Sequence, residues 1–178
     1  MPEPAANGAS PETVRLALLG GRAICLVLAA ADARDEVGAR LTALAAQQRF
    51  SPRWAGVGRW FVVATGQDPT CLVATLQGEL GSRASILDQS DGQVAIGLAG
   101  GDVRGTLAKG AALDLHPDAF KSGDAAATLL GHIPVHLTRT GVDDYEILVP
   151  RSYAASLWES LGKMAAEFGC EAQPAAMA

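Results

Sequence analysis

Charge is scarce in this chain, and positive charge scarcer still: charged residues make up 19% of it, and 14 Lys and Arg against 19 Asp and Glu leave a net charge of −5. That balance gives no basic footprint for nucleic acid or for an acidic membrane surface. Cysteine is nearly absent. The three present, Cys25, Cys71 and Cys170, have no CxxC or other ligand-like spacing and read as reduced cytosolic thiols with buried or incidental roles. Long apolar runs are missing too, since the longest, Ala23 to Ala31, falls far short of the roughly 18 to 20 residues that span a bilayer. The opening MPEPAANGASPE lacks the positive segment that precedes a secretory apolar core. It reads as a flexible arm over residues 1–12, matched by a small-residue tail over 171–178, and the whole points to a cytoplasmic protein.

What the chain does have is apolar residues: 49% of 178, enough to fill the core of one domain or of two small halves that share one. Val14 to Leu19 and Ala23 to Leu28, split by Gly20-Gly21, fit two strands, joined as a hairpin or not, or a strand after an entry segment. Asp32 is placed to cap a helix with Asp35 and Glu36 in its first turn, and Val37, Leu41, Leu44 and Ala45 recur at helical spacing until Pro52 marks that the helix has ended. Trp60 to Ala64 is a strand. Asp68-Pro69 then supplies an N-cap and a first-turn proline for a helix bearing Leu72, Val73, Leu76 and Leu80, with Gly81 as its stop. Ala84 to Asp88 and Gln93 to Leu98 flank Ser90-Asp91-Gly92, which predicts an antiparallel hairpin.

The stretch from Gly100 to Phe120 punctuates the chain. Asp102 stands as the N-cap of a short helix with Val103 and Leu107 on its buried side, and Gly110 reads as its left-handed end after Lys109. His116-Pro117 begins another turn. Beyond it, Thr128 to Gly131 and Ile133 to Arg139 are strands, and Tyr145 to Val149 alternates with Tyr145, Ile147 and Val149 inward. The last helix, Ser152 to Phe168, carries Ala154, Leu157, Trp158, Leu161, Ala165 and Phe168 on one stripe, with Gly169 just past it. Strands followed by helices, twice over, predict an α+β fold of two related halves, about 13–90 and 91–170, each a small antiparallel sheet covered by helices.

Three blocks carry a family likeness: LAKGAALDLHPDAF at 107–120, ATLLGHIPVHL at 127–137 and VPRSYAASLW at 149–158. In this order and spacing the chain resembles the gamma subunits of heterotetrameric sarcosine oxidases, over roughly residues 84 to 162. The resemblance implies a fold similar to the folate-binding domain of the glycine-cleavage aminomethyltransferase, and a role in assembling and stabilising a complex with alpha, beta and delta subunits. That complex oxidatively demethylates sarcosine to glycine, producing hydrogen peroxide and 5,10-methylenetetrahydrofolate. FAD, FMN, NAD, zinc and the tetrahydrofolate site are implied for the partner chains. No catalytic, cofactor-binding or metal-binding residue is implied for this one.

The residues agree on their own terms. GGDVRG at 100–105 lies between strand and helix, but its glycines fall at positions one, two and six instead of the one, three and six of a dinucleotide fingerprint. GVGRWF at 56–61 enters a strand instead of leaving one. His132 and His136, four apart in a predicted strand, stand roughly 13 Å from each other and cannot share one zinc. His116 reads as a turn cap. The carboxylate pairs Asp88/Asp91 and Asp143/Asp144 sit at turns, where Asp is expected for its backbone chemistry. Arg151, between a strand end and a helix start, reads either as a helix cap or as a contact for a partner subunit's carboxylate. A surplus of apolar residues outside the stripes, among them Trp54, Trp60, Phe120 and Leu130, is expected to divide between core and interface. The alternative is a stand-alone folate-dependent aminomethyl-transfer or folate-sensing domain, which requires an acidic side chain at the centre of the fold, free to grip a pterin.

Overall fold

The computed structural model describes residues 13–173; the predicted arm (1–12) and the end of the predicted tail (174–178) lie outside them. The elements run β1 (Val14–Leu18), β2 (Arg22–Ala29), α1 (Arg34–Ala45), β3 (Phe50–Gly56), β4 (Arg59–Thr65), α2 (Pro69–Leu80), β5 (Ala84–Asp88), β6 (Gln93–Ala99), α3 (Val103–Ala108), β7 (Ala125–Leu130), β8 (Ile133–Arg139), β9 (Asp144–Pro150), α4 (Ala154–Ala165) and β10 (Cys170–Gln173). A four-stranded sheet has the order β3-β4-β2-β5, and a six-stranded sheet the order β10-β1-β6-β9-β8-β7.

Both sheets follow one plan. The first unit, β2-α1-β3-β4-α2-β5, is a split βαβ pair with its first strand between its third and fourth. The second repeats it as β6-α3-β8-β9-α4-β10, with β7 added at one edge and β1 inserted between β6 and β10. The inserted strand runs antiparallel to β6 and parallel to β10.

This insertion decides one open reading and corrects two expectations. β1 and β2 belong to different sheets, so Gly20-Gly21 is a crossover and not a hairpin turn. β5 and β6 likewise part company: β5 pairs with β2, while β6 pairs with β1 and β9. The Ser90-Asp91-Gly92 signal is still a turn, closed by Ser90 N–H on Asp88 Oδ1 at 2.9 Å and Gly92 N–H on the Gln89 carbonyl at 3.0 Å. A turn signal fixes the local bend and says nothing about which strand each arm will find. Finally, Glu171 to Gln173 are strand residues of β10, so the predicted tail begins too early.

Four layers result. Val37, Leu41 and Leu44 of α1 and Leu72, Leu76 and Leu80 of α2 pack on one face of the four-stranded sheet against Ala23, Cys25, Val27, Val62 and Ala64. α3 and α4 cover the outer face of the six-stranded sheet, where Val103, Leu107, Leu157, Leu161 and Ala165 meet Leu16, Ile96, Leu98, Tyr145, Ile147 and Val149. The other faces of the two sheets pack on each other through Ile24, Val63, Ala95 and Leu148. Strands covered on both sides read as continuous apolar runs instead of alternating ones, which is why ICLVL in β2 shows no simple period.

Local details differ from the sequence reading in physical ways. Asp68 caps α2 as expected, accepting from Cys71 N–H at 3.1 Å. Neither Asp32 nor Asp102 does the same: Ala33 is the N-cap of α1, and the Asp102 carboxylate makes no cap hydrogen bond. Gly110 is not left-handed; a side chain there would strike Met164 Cε at 2.7 Å, so this glycine serves the close approach of α4. β3 escapes the sequence patterns because Pro52 reads as a breaker. It lies at the edge of its sheet, where a strand has a side that needs no donor.

Candidate functional site

The seam between the sheets is where charge collects. Register places Glu146 of β9 between Tyr145 and Ile147, which point to the helices, so its carboxylate points at the opposing sheet. There Arg53 of β3 donates Nη1 to Oε1 at 3.0 Å and Arg22 of β2 donates Nη2 to Oε2 at 3.2 Å. Arg53 and Glu146 are both 6% exposed at the side chain, while Arg22 is 20% exposed. The cluster therefore holds two guanidiniums against one carboxylate, leaving one positive charge over. The Nε atoms of both arginines are buried and have no hydrogen-bond partner among the described residues.

His136 of β8 adjoins this cluster. The Trp54 carbonyl lies 2.9 Å from its Nε2 and can only accept, so Nε2 carries the proton and the buried, unpartnered Nδ1 carries the lone pair. The ring meets Phe61 edge-on at a centroid distance of 5.1 Å. Burial holds its pKa below the ordinary histidine value, and Arg53 pushes the same way, against the Trp54 carbonyl and Glu146. Beside it the sheets splay into a mostly apolar cleft of about 210 Å³, lined by Leu26, Phe61, Leu148 and His136, with Arg59 and Gln93 among its polar residues. That is below the roughly 300 to 1,000 Å³ of ordinary small-molecule pockets.

The other singled-out residues scatter. His132 lies in the turn before β8 and is exposed, whereas His136 is buried, so the two neither share a strand nor converge. His116 is exposed and accepts from Asp118 N–H at 3.3 Å through Nδ1. The turn at 116–120 closes on its carbonyl. Among the described residues no three His, Cys, Asp or Glu side chains stand together as metal ligands would. GGDVRG folds as turn and helix start. Gly100 has φ +125°, and a side chain there would run into the Thr13 carbonyl, so its role is the approach of β1 to β6. Burial, with Asp88 nearby, pushes the Cys25 thiol up to about 11, which leaves it protonated and inert at neutral pH.

Asp143 lies 3.6 Å from Arg104, joining the turn before β9 to α3. Arg139 is buried and donates to the carbonyls of Phe120 at 2.7 Å, Gly141 at 3.1 Å and Val142 at 2.6 Å, and so pins that turn. Arg151 is exposed; its backbone N–H donates to Gly92 O at 2.9 Å and its Nε to the Asp91 carbonyl, clamping the crossover from β5 to β6. Of the apolar surplus, Phe120 and Leu130 are core, Trp60 is half-buried against Gly38, and Trp54 is 52% exposed.

Sequence reasoning missed Arg22, Arg53 and Glu146. Their partners stand 93 and 124 residues away along the chain. The one available signal was a glutamate inside a strand whose neighbours on both sides are apolar.

The chain matches the model of the "Sarcosine oxidase, gamma subunit family" over residues 22–167. It is 37% identical over 101 residues to sarcosine oxidase subunit gamma of Corynebacterium sp. (strain U-96), covering 56% of this chain and 48% of that protein. To the subunit of the same name from Arthrobacter sp it is 40% identical over 82 residues, or 46% of this chain and 38% of that one. The matches thus span about half the length of these relatives or less. Among solved structures, a chain of the heterotetrameric sarcosine oxidase from Corynebacterium sp. U-96 in complex with pyrrole 2-carboxylate superposes with a TM-score of 0.77 at 26% identity, over 92% of this chain and 89% of that one. Aminomethyltransferase T of the glycine cleavage system from Bartonella henselae shares the fold, with a TM-score of 0.62 at 18% identity over 90% of this chain and 47% of that one. The chain belongs to the sarcosine oxidase gamma subunit family.

Proposed function

We propose that this chain is the non-catalytic gamma subunit of a four-subunit sarcosine oxidase and that it serves assembly and stability, not the chemical step. The carrying observation is the family match over residues 22–167 together with the superposition over 92% of the chain. The partners are then alpha, beta and delta subunits, which bring FAD, FMN, NAD, zinc and the tetrahydrofolate site. The reaction is oxidative demethylation of sarcosine to glycine, with hydrogen peroxide and 5,10-methylenetetrahydrofolate as further products. The cytoplasm is the fitting compartment. No described helix is long and apolar enough to cross a membrane.

The internal chemistry supports this division of labour. A stand-alone folate domain needs a central acid free to hold a pterin, and the acid at the centre of this fold, Glu146, already has one oxygen bonded to Arg22 and the other to Arg53. Releasing it would leave Arg53 buried without a carboxylate, which costs several kcal/mol.

The test is to produce the other subunits with and without this chain, then measure the yield of assembled enzyme and the turnover per bound flavin. Assembly should fail or fall while turnover per flavin in any enzyme recovered stays the same. Normal assembly with collapsed turnover would overturn the proposal, and tight tetrahydrofolate binding by the isolated chain would favour the folate domain.

A further inference from the structure

The sequence left Arg151 two roles, a helix cap or a contact for a partner subunit's carboxylate, and its surroundings favour the second. It lines a cleft of about 300 Å³ between the Gly20-Gly21 crossover and the start of β6, together with Arg22, Ser90 and Gln93. Among the described residues no carboxylate lines this cleft. In a chain with five more acids than bases, two arginines facing one hollow without an acid is an unusual charge arrangement. Glu146 reaches Arg22 from within the seam, but it also serves Arg53, so that cluster keeps one positive charge over. Arg151 has no carboxylate within ion-pair reach among the described residues: its Nε is spent on the Asp91 carbonyl, and no protein acceptor engages its two Nη groups. Asp88, at the end of β5, is turned to Ser90, whose hydroxyl and backbone N–H both donate to it.

We propose that this cleft receives a carboxylate side chain from a partner subunit, held by the free end of the Arg151 guanidinium and by the residual positive charge of the Arg22 cluster. This rests on the subunit role proposed above. A planar guanidinium whose Nε is already anchored is held in place for a carboxylate at little further entropic cost. The position suits a contact: Arg151 fixes the β5–β6 crossover through its backbone and Nε, so the docked acid would also stiffen that link between the two sheets.

The experiment uses the assembled complex carrying Arg151→Lys, which keeps the charge and places a reactive amine at the position. A water-soluble carbodiimide, which joins amines to carboxylates in contact, should link this chain to a partner subunit, and mass spectrometry should locate the link at position 151. The wild-type complex should give no link there. Arg151→Glu, checked for folding by circular dichroism, should weaken retention of this chain in the complex about three- to tenfold, and retention of the wild type should fall more steeply with salt than that of Arg151→Gln. Full assembly of Arg151→Lys with no link at position 151, or equal salt slopes, would overturn the inference while leaving the subunit role intact. Failure of the wild-type chain to assemble would instead strike the subunit role. Stabilisation of the isolated chain by free glutarate, lost in Arg151→Gln and unaccompanied by any link, would assign the cleft to a small carboxylate and reject the partner.

Discussion

The two outer cores and the seam between the sheets are built on opposite principles. Beneath the helices the packing is almost all apolar, with the hydroxyls of Thr106 and Tyr145 as buried exceptions: Leu41, Leu72, Leu76 and Leu80 on one side, Leu107, Leu157 and Leu161 on the other, all with essentially no exposed surface. The seam has four buried apolar residues, Ile24, Val63, Ala95 and Leu148, and around them Arg53, Glu146, His136 and Thr138, also buried. Apolar packing is non-directional and tolerates sliding, whereas an ion pair with hydrogen-bonded geometry holds only at one relative placement of its two sheets. The outer cores therefore supply most of the stability and the seam fixes how the two repeated units meet.

The sharpest way to break that contrast is Glu146→Ala. Removing the shared carboxylate leaves Arg53 buried with nothing to balance its charge, and we expect a loss of about 3 to 5 kcal/mol in urea unfolding. Leu76→Ala in the outer core should cost a comparable amount, about 2 to 5 kcal/mol. The two should differ in repair: Glu146→Leu combined with Arg53→Met and Arg22→Met should recover most of the first loss, because a buried ion cluster is replaced by apolar groups of similar volume at little net cost. A triple variant no more stable than Glu146→Ala would mean that the geometry of the charges, not their mutual compensation, holds the seam.

The same contrast governs what was legible in the sequence. Most of the helix faces were readable, because a helix imposes its own short period: Val37, Leu41 and Leu44, or Leu157, Leu161 and Ala165, recur at the spacing that buries them. The seam has no period of its own. Glu146 looks like an outward-facing residue on an alternating strand until the second sheet is laid across it, and Arg53 sits beside Pro52 in a strand that local propensity does not announce. The absence of a β5–β6 hairpin belongs to the same class, since β1 takes the place beside β6 from 80 residues upstream along the chain, pairing Arg15 with Ala99 through Leu18 with Ile96. The order of strands and helices gave the two α+β halves, and the family likeness agreed with it. The charges it left to the structure.

Trp158 offers a sharper measure of the outer core. Its place on the α4 stripe suggests a fully buried aromatic and a loss of about 3 to 5 kcal/mol on truncation. In the structure it is half-buried at the edge of the cluster, packed against it but not within it. The expected loss for Trp158→Ala is accordingly about 1 to 2 kcal/mol, the value of a partly covered apolar surface. A loss near that of Leu76→Ala would place Trp158 inside the core after all. A negligible loss accompanied by weaker assembly would place it on an interface.

The smallest effect should come from His136, and it tests the seam by pH instead of by truncation. Buried beside Arg53, with Nε2–H on the Trp54 carbonyl, the imidazole is held neutral and its folded pKa lies below the unfolded value. Between those two values the unfolded chain binds the proton and the folded chain does not, so stability must rise with pH across that interval and level off above the unfolded pKa of about 6.5. The contribution is fully present at pH 7.5 and is lost as the pH falls from about 6.5 toward the folded pKa. Replacing the ring by Gln, whose amide can still donate to the Trp54 carbonyl, should leave stability at pH 7.5 little changed and flatten its decline below pH 6.5. The measurement is the urea midpoint of the two proteins at matched pH values from 5 to 8. Parallel declines would show that the acid sensitivity lies elsewhere, with the carboxylates, and that the imidazole titrates as freely when folded as when unfolded.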